Sequence, residues 1–192
     1  MTTLLIVVFT PVVGAVLLGL ISSMRYAGWL NVALSAVSFG AALRLAWLVA
    51  GAGEMAAFSF RVDAFNVYLV VLTTFVGLTT SIFSRPYMRH VWETGKTNDN
   101  GMRVYHSMYQ AFMFTMLLAL TTDNLGVLWV AVEGATLTTV LLVSLYRTPE
   151  AVEAAWKYFI LCGVGIALAL FGTVLTYFAA RHVLADPEAG LS

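Results

Sequence analysis

Apolar residues come in blocks about as long as a hydrocarbon layer is thick, separated by short polar connections. A helix that crosses roughly 30 Å of hydrocarbon needs about 20 residues. Six blocks approach that length, at residues 4–21, 29–50, 64–83, 105–122, 125–146 and 154–180. The fourth has the weakest outline, because His106, Ser107 and Gln110 make its start polar. Between the second and third blocks the pattern changes period: Phe58, Ser59, Phe60, Arg61 and Val62 alternate as a half-buried strand does. This predicts a short hairpin near 54–62. The stretch 85–105 contains Gly95, Asn98, Asp99, Asn100 and Gly101, which reads as a turn-rich loop whose charges face solvent and lipid headgroups. No repeat, low-complexity tract or linker interrupts the chain, so the predicted architecture is one bundle domain over 1–192, an all-α integral membrane protein of six spans.

Composition agrees with the pattern. Of 192 residues, 60% are hydrophobic and only 10% charged, with a mean hydropathy of +0.88, whereas soluble domains carry about 25% charge. Ten basic side chains balance ten acidic ones, which leaves no basic surface for a nucleic acid. The lone cysteine, Cys162, has no partner for a disulfide or a metal and reads as packing. The first block follows Thr2 and Thr3 with no basic lead-in, so a retained helix is expected rather than a cleaved signal.

The basic residues suggest an orientation. With the N-terminus outside the cytoplasm, Arg25, Arg85, Arg89, Lys96, Arg103 and Arg147 fall on the cytoplasmic side, against Arg44, Arg61 and Arg181 outside. The hairpin is then extracytoplasmic, and Asp186 and Glu188 lie in a polar outer tail. Trp29, Trp47, Tyr87, Trp92 and Tyr105 stand near block ends, as an aromatic belt does.

Two ionisable residues interrupt the apolar blocks. Glu133 lies thirteen residues from Tyr146, or roughly 20 Å along a helix axis, near mid-membrane. A charge there costs roughly 2.5–3.5 kcal/mol on insertion scales, so such residues mark ion or proton paths by default. Thr136 and Trp129, one turn to either side, offer it a hydroxyl and an aromatic wall. The competing role is a protonated glutamic acid that fastens two helices. Lys157 is open between two readings. Glu153 precedes it by four residues, in the favourable order for a surface pair with a snorkelling lysine; equally, a buried lysine whose charge answers a neighbouring carboxylate is suited to proton relay. Its depth differs from that of Glu133 by about 10 Å, which argues for intervening water rather than a direct ion pair.

Other polar residues carry weaker signals. Asp63 and Asp123 stand at helix starts, where capping is the first expectation and ion uptake the second. His106 could pass protons, although an interfacial, solvated histidine is the plainer reading. Arg44 reads as snorkelling, and Gly163, Gly165 and Gly172 as sites of close helix packing. No phosphate-cradling loop, His/Cys cluster or Ser/His/Asp set is present, so no cofactor is expected in this chain and catalysis by it alone is not.

Two segments carry a family resemblance. The run WVAVEGATLTT around Glu133, continuing through EAAWKYFILC around Lys157, resembles the antiporter-like membrane subunits of respiratory complex I and their hydrogenase relatives, most closely the component F proteins of hydrogenase-4 type complexes. The upstream run VDAFNVYLVVLTTFVGLTTSIFSRPYMRH is similar to the third-helix region of the same proteins, so the likeness extends from Asp63 to Tyr177. It implies the N-terminal portion of an antiporter-like bundle in a bacterial or archaeal cell membrane, with the N-terminus outside. It also implies proton translocation through the fifth-helix glutamate, here Glu133, and the sixth-helix lysine, here Lys157, with Glu153, Thr136, His106 and Asp63 as possible accessories. Partners would be other membrane subunits and peripheral redox subunits, the latter holding a nickel–iron centre, iron–sulfur clusters or quinone. A multi-subunit sodium/proton antiporter subunit and a non-transporting assembly subunit are the alternatives. Family members are longer and contain two inverted repeats with broken helices. The chain is therefore expected to be a fragment, a split subunit completed by another chain that supplies the missing helices, or a reduced relative.

Overall fold

The computed structural model describes residues 2–20, 24–57 and 59–181. Six helices and one hairpin follow in order: α1 Thr2–Leu20, α2 Met24–Ala52, strands β1 Met55–Ala57 and β2 Phe60–Val62, α3 Ala64–Glu93, α4 Asp99–Thr121, α5 Leu125–Val143, a 3-10 turn Ser144–Tyr146, and α6 Pro149–Arg181. The all-α membrane class and the hairpin agree with the sequence pattern. Phe58, and the tail with Asp186 and Glu188, lie outside the described residues.

The stretch 85–105 departs from expectation. It is not a long loop: α3 runs on to Glu93 and α4 starts at Asp99, leaving five residues between them. Pro86 interrupts the hydrogen-bond ladder of α3, but Met88 and Val91 beyond it are buried, and their packing holds the extension helical. At the turn itself Asn98 accepts from the Gly101 amide at 2.8 Å, and the Trp92 indole donates to Asp99 at 2.7 Å.

Five helices, all but α4, are long and apolar enough to cross a membrane. Helix α4 has the length, 23 residues, but not the composition. The packing explains why: α4 is the central helix, touching α1, α2, α3 and α5, so its polar side chains face protein rather than lipid. Close approaches seat it. Tyr109 donates its hydroxyl to the Gly77 carbonyl of α3, and a Cβ on Gly134 of α5 would stand 2.9 Å from the Thr115 methyl. Helix α6 is different, packing chiefly on α5.

Toward the hairpin, the interior is apolar: Val7, Val8, Ala42, Leu45, Val62, Val70 and Leu117 are almost wholly buried in one cluster. In lipid such a cluster is held by van der Waals fit rather than by escape from water. The hairpin itself is tied down by polar contacts. Asp123 donates its amide to Ser59 O at 2.8 Å, and Arg61 reaches both Glu54 (3.0 Å) and Asp123 (3.7 Å). Asp123 is thus an ion-pair partner; the cap of α5 is Asn124, which accepts from the Gly126 and Val127 amides.

Asp63 caps α3, its carboxylate accepting from the Asn66 amide at 2.7 Å. Asp63→Ala is expected to cost about 1 kcal/mol and Asp63→Asn much less, since asparagine caps equally well. Thermal unfolding in detergent checks the ranking, and equal losses would show that the charge rather than the cap matters.

Candidate functional site

Helix α5 presents two faces. Ala131, Gly134 and Thr138 lie against α4, with Ala131 and Thr138 buried, while the opposite side meets α6. Two hydrogen bonds set the register of α5 on α6. The Trp129 indole donates to the Ile166 carbonyl at 2.8 Å, and the hydroxyls of Thr139 and Tyr158 meet at 3.0 Å. Because the helices run antiparallel, these contacts bring Glu133 level with Cys162 and Gly163. Lys157 lies five or six residues away toward the basic end, or about 8–9 Å.

Glu133 is half-buried and takes part in none of the ion pairs among the described residues. Its aromatic neighbour Trp129 is committed to Ile166, and Thr136, which is buried, donates to Val132 O at 3.2 Å. Lys157 pairs with Glu153 on its own helix, and both side chains are well exposed. The structure therefore separates Glu133 from Lys157, as the depth count suggests.

The small residues of α6 do something other than expected. A Cβ on Gly163, Gly165 or Gly172 would meet nothing within 4 Å, so no helix presses on them among the described residues. At Gly163 this leaves open space at the level of Glu133. Cys162 is partly buried and free.

His106 is the largest correction. It is not a solvated interfacial histidine but is 2% exposed. Its Nδ1 stands 3.3 Å from Asn31 Nδ2, so the neutral ring accepts there and carries its proton on Nε2. Gln110 Nε2 in turn donates to Asn31 Oδ1 at 2.6 Å and to Ser35 Oγ at 3.2 Å. Ser107 and Arg103 donate to the α1 carbonyls of Ala15 and Gly19. The inner lining of α1, α2 and α4 is thus polar where the hairpin half is apolar. On the α4 wheel His106 and Gln110 point almost opposite to Thr115, which faces α5. Glu133 and His106 consequently belong to different sides of α4. Sequence reasoning missed the network because Asn31, Ser35 and Gln110 are separated by up to 79 residues, although their spacing of four within each helix, 31 with 35 and 106 with 110, is visible in the chain.

Among the described residues no group of three or more His, Cys, Asp or Glu side chains could hold a metal. The site is a lone half-buried carboxyl in a multi-pass membrane bundle. Comparison with known proteins gives the class a family. Residues 47–96 match the N-terminus of NADH-ubiquinone oxidoreductase (complex I) chain 5. The chain is 47% identical over 186 residues to the hydrogenase-4 component F homolog of Methylacidiphilum infernorum, covering 97% of this chain and 38% of that protein. It is 32% identical over 132 residues to NADH-quinone oxidoreductase subunit L of Mycobacterium tuberculosis, covering 68% of this chain and 19% of that one. The chain belongs with the antiporter-like membrane subunits of complex I and related hydrogenases, and it spans well under half the length of these relatives.

Proposed function

We propose that this chain is the N-terminal bundle, one domain over 1–192, of a proton-translocating membrane subunit in an energy-converting hydrogenase or complex I-like assembly. The observation that carries the reading is Glu133: a carboxyl midway along α5, half-buried, without a counter-ion among the described residues, beside open space at Gly163. An ionisable side chain at that depth of a membrane bundle is costly to keep and marks an ion or proton path by default. Lys157, about two turns toward the basic end and paired with Glu153 at rest, relays between Glu133 and the aqueous surface. The basic end is cytoplasmic and the N-terminus outside, in a bacterial or archaeal cell membrane. Redox chemistry belongs to peripheral partner subunits with their own metal centres or quinone, and further membrane helices complete the path.

The test is made on the whole assembly. Isolated with its partners and reconstituted into vesicles, it is expected to acidify or alkalinise the lumen when the redox subunits turn over, in sodium-free buffer, with collapse by a protonophore. Turnover without proton movement would overturn the reading, and a strict sodium requirement would reassign the ion.

A further inference from the structure

Below Glu133, toward the basic end, α5 and α6 line an open groove of about 610 Å³. Its walls include Leu137, Val140, Trp156 and Phe159, and its rim in the connection between the helices carries Ser144 and Arg147. Its chemistry suits an amphiphile: a largely apolar slot along the helices, with one guanidinium where they end.

The cation is available. Among the described residues Arg89 is paired with Glu93, Lys157 with Glu153, Arg85 lies 3.7 Å over the Trp29 ring and Arg103 binds the Gly19 carbonyl. Arg147 has no carboxylate within ion-pair distance among those residues, Glu150 included. Its backbone is also unusual, in the left-handed region at φ 51°, the one non-glycine residue described there. Its amide closes the turn onto Ser144 O at 3.1 Å. A β-substituted residue in that conformation is strained, and such strain is a pointer to function.

We propose that this slot binds an anionic phospholipid, its phosphate on the Arg147 guanidinium and one acyl chain along Leu137 and Val140. Glu133, Leu137, Val140 and Ser144 form one stripe of α5 at steps of four, three and four residues, so the chain end lies one turn from Glu133. Basic pockets between membrane helices at the interface recognise such headgroups. The proposal needs only the membrane setting of the bundle, not proton transport.

Lipid retention tests it on the protein purified with its partners in mild detergent. Native mass spectrometry is expected to show retained phosphatidylglycerol in preference to phosphatidylcholine when both are supplied. Arg147→Gln should lower that preference about fivefold, the worth of one interfacial cation. Arg147→Gly should do the same while keeping or raising the melting temperature, which separates lost binding from lost folding. Val140→Trp should displace both lipids. Lys96→Gln, an exposed cation elsewhere on the same end, should change nothing. Equal retention of the two lipids, an unchanged preference in both Arg147 variants, or cross-linking of Ser144→Cys to a partner helix seated in the slot would each overturn the assignment.

Discussion

Glu133→Gln is expected to cut vesicle proton uptake by about 10²-fold or more, the range for removing a positioned proton-transfer group. Glutamine preserves volume and hydrogen-bonding capacity and removes only the exchangeable proton, so helix packing should survive. That property separates two roles. If Glu133 is a fastener between α5 and its neighbours, Gln supports assembly and uptake alike, and unchanged uptake by an intact assembly would remove the pump role. Glu133→Asp shortens the side chain but keeps the proton, so intermediate uptake is expected. Lys157→Met should impair less than Glu133→Gln, because Lys157 sits exposed on α6 beside Glu153 and water can replace a relay near the surface. Equal losses at both positions would place Lys157 deeper in the path than its exposure suggests.

The second large effect concerns stability. Gln110→Leu is expected to destabilise the bundle by about 2 kcal/mol, since Asn31 Oδ1 and Ser35 Oγ lose their buried donor. Asn31→Leu should cost a similar amount by stranding His106 and Gln110. The double substitution should cost clearly less than the sum, because replacing both partners removes the unsatisfied groups along with the bonds. Additive losses in detergent unfolding would mean that the two amides do not act on one another. The membrane makes this informative, since no lipid can satisfy an amide left bare.

Much of the fold is legible in the chain. Block lengths, the period-two segment and the isolation of Glu133 all depend on nearby residues, and the structure reproduces the six helices and the hairpin. The Glu153–Lys157 pair is equally local, four residues apart on one helix. Helix α4 shows where such reasoning fails. Its hydropathy is low because it faces the protein interior, and the same polarity that blurs its outline as a span makes it the hub. The 85–105 stretch fails for a related reason: its turn residues do mark the turn at Asn98, but Met88 and Val91 are held helical by burial that no local pattern reports.

The sequence alone therefore determined membrane residence, the six helices among the described residues and the carboxyl that interrupts the fifth of them, because transfer free energy adds along the chain. Only the tertiary structure decided that His106 is buried against Asn31, that Glu133 lies on the other side of α4, and that Arg147 rims an apolar slot. Those facts depend on how each helix is rotated and paired, and rotation is set by contacts between residues far apart in the chain.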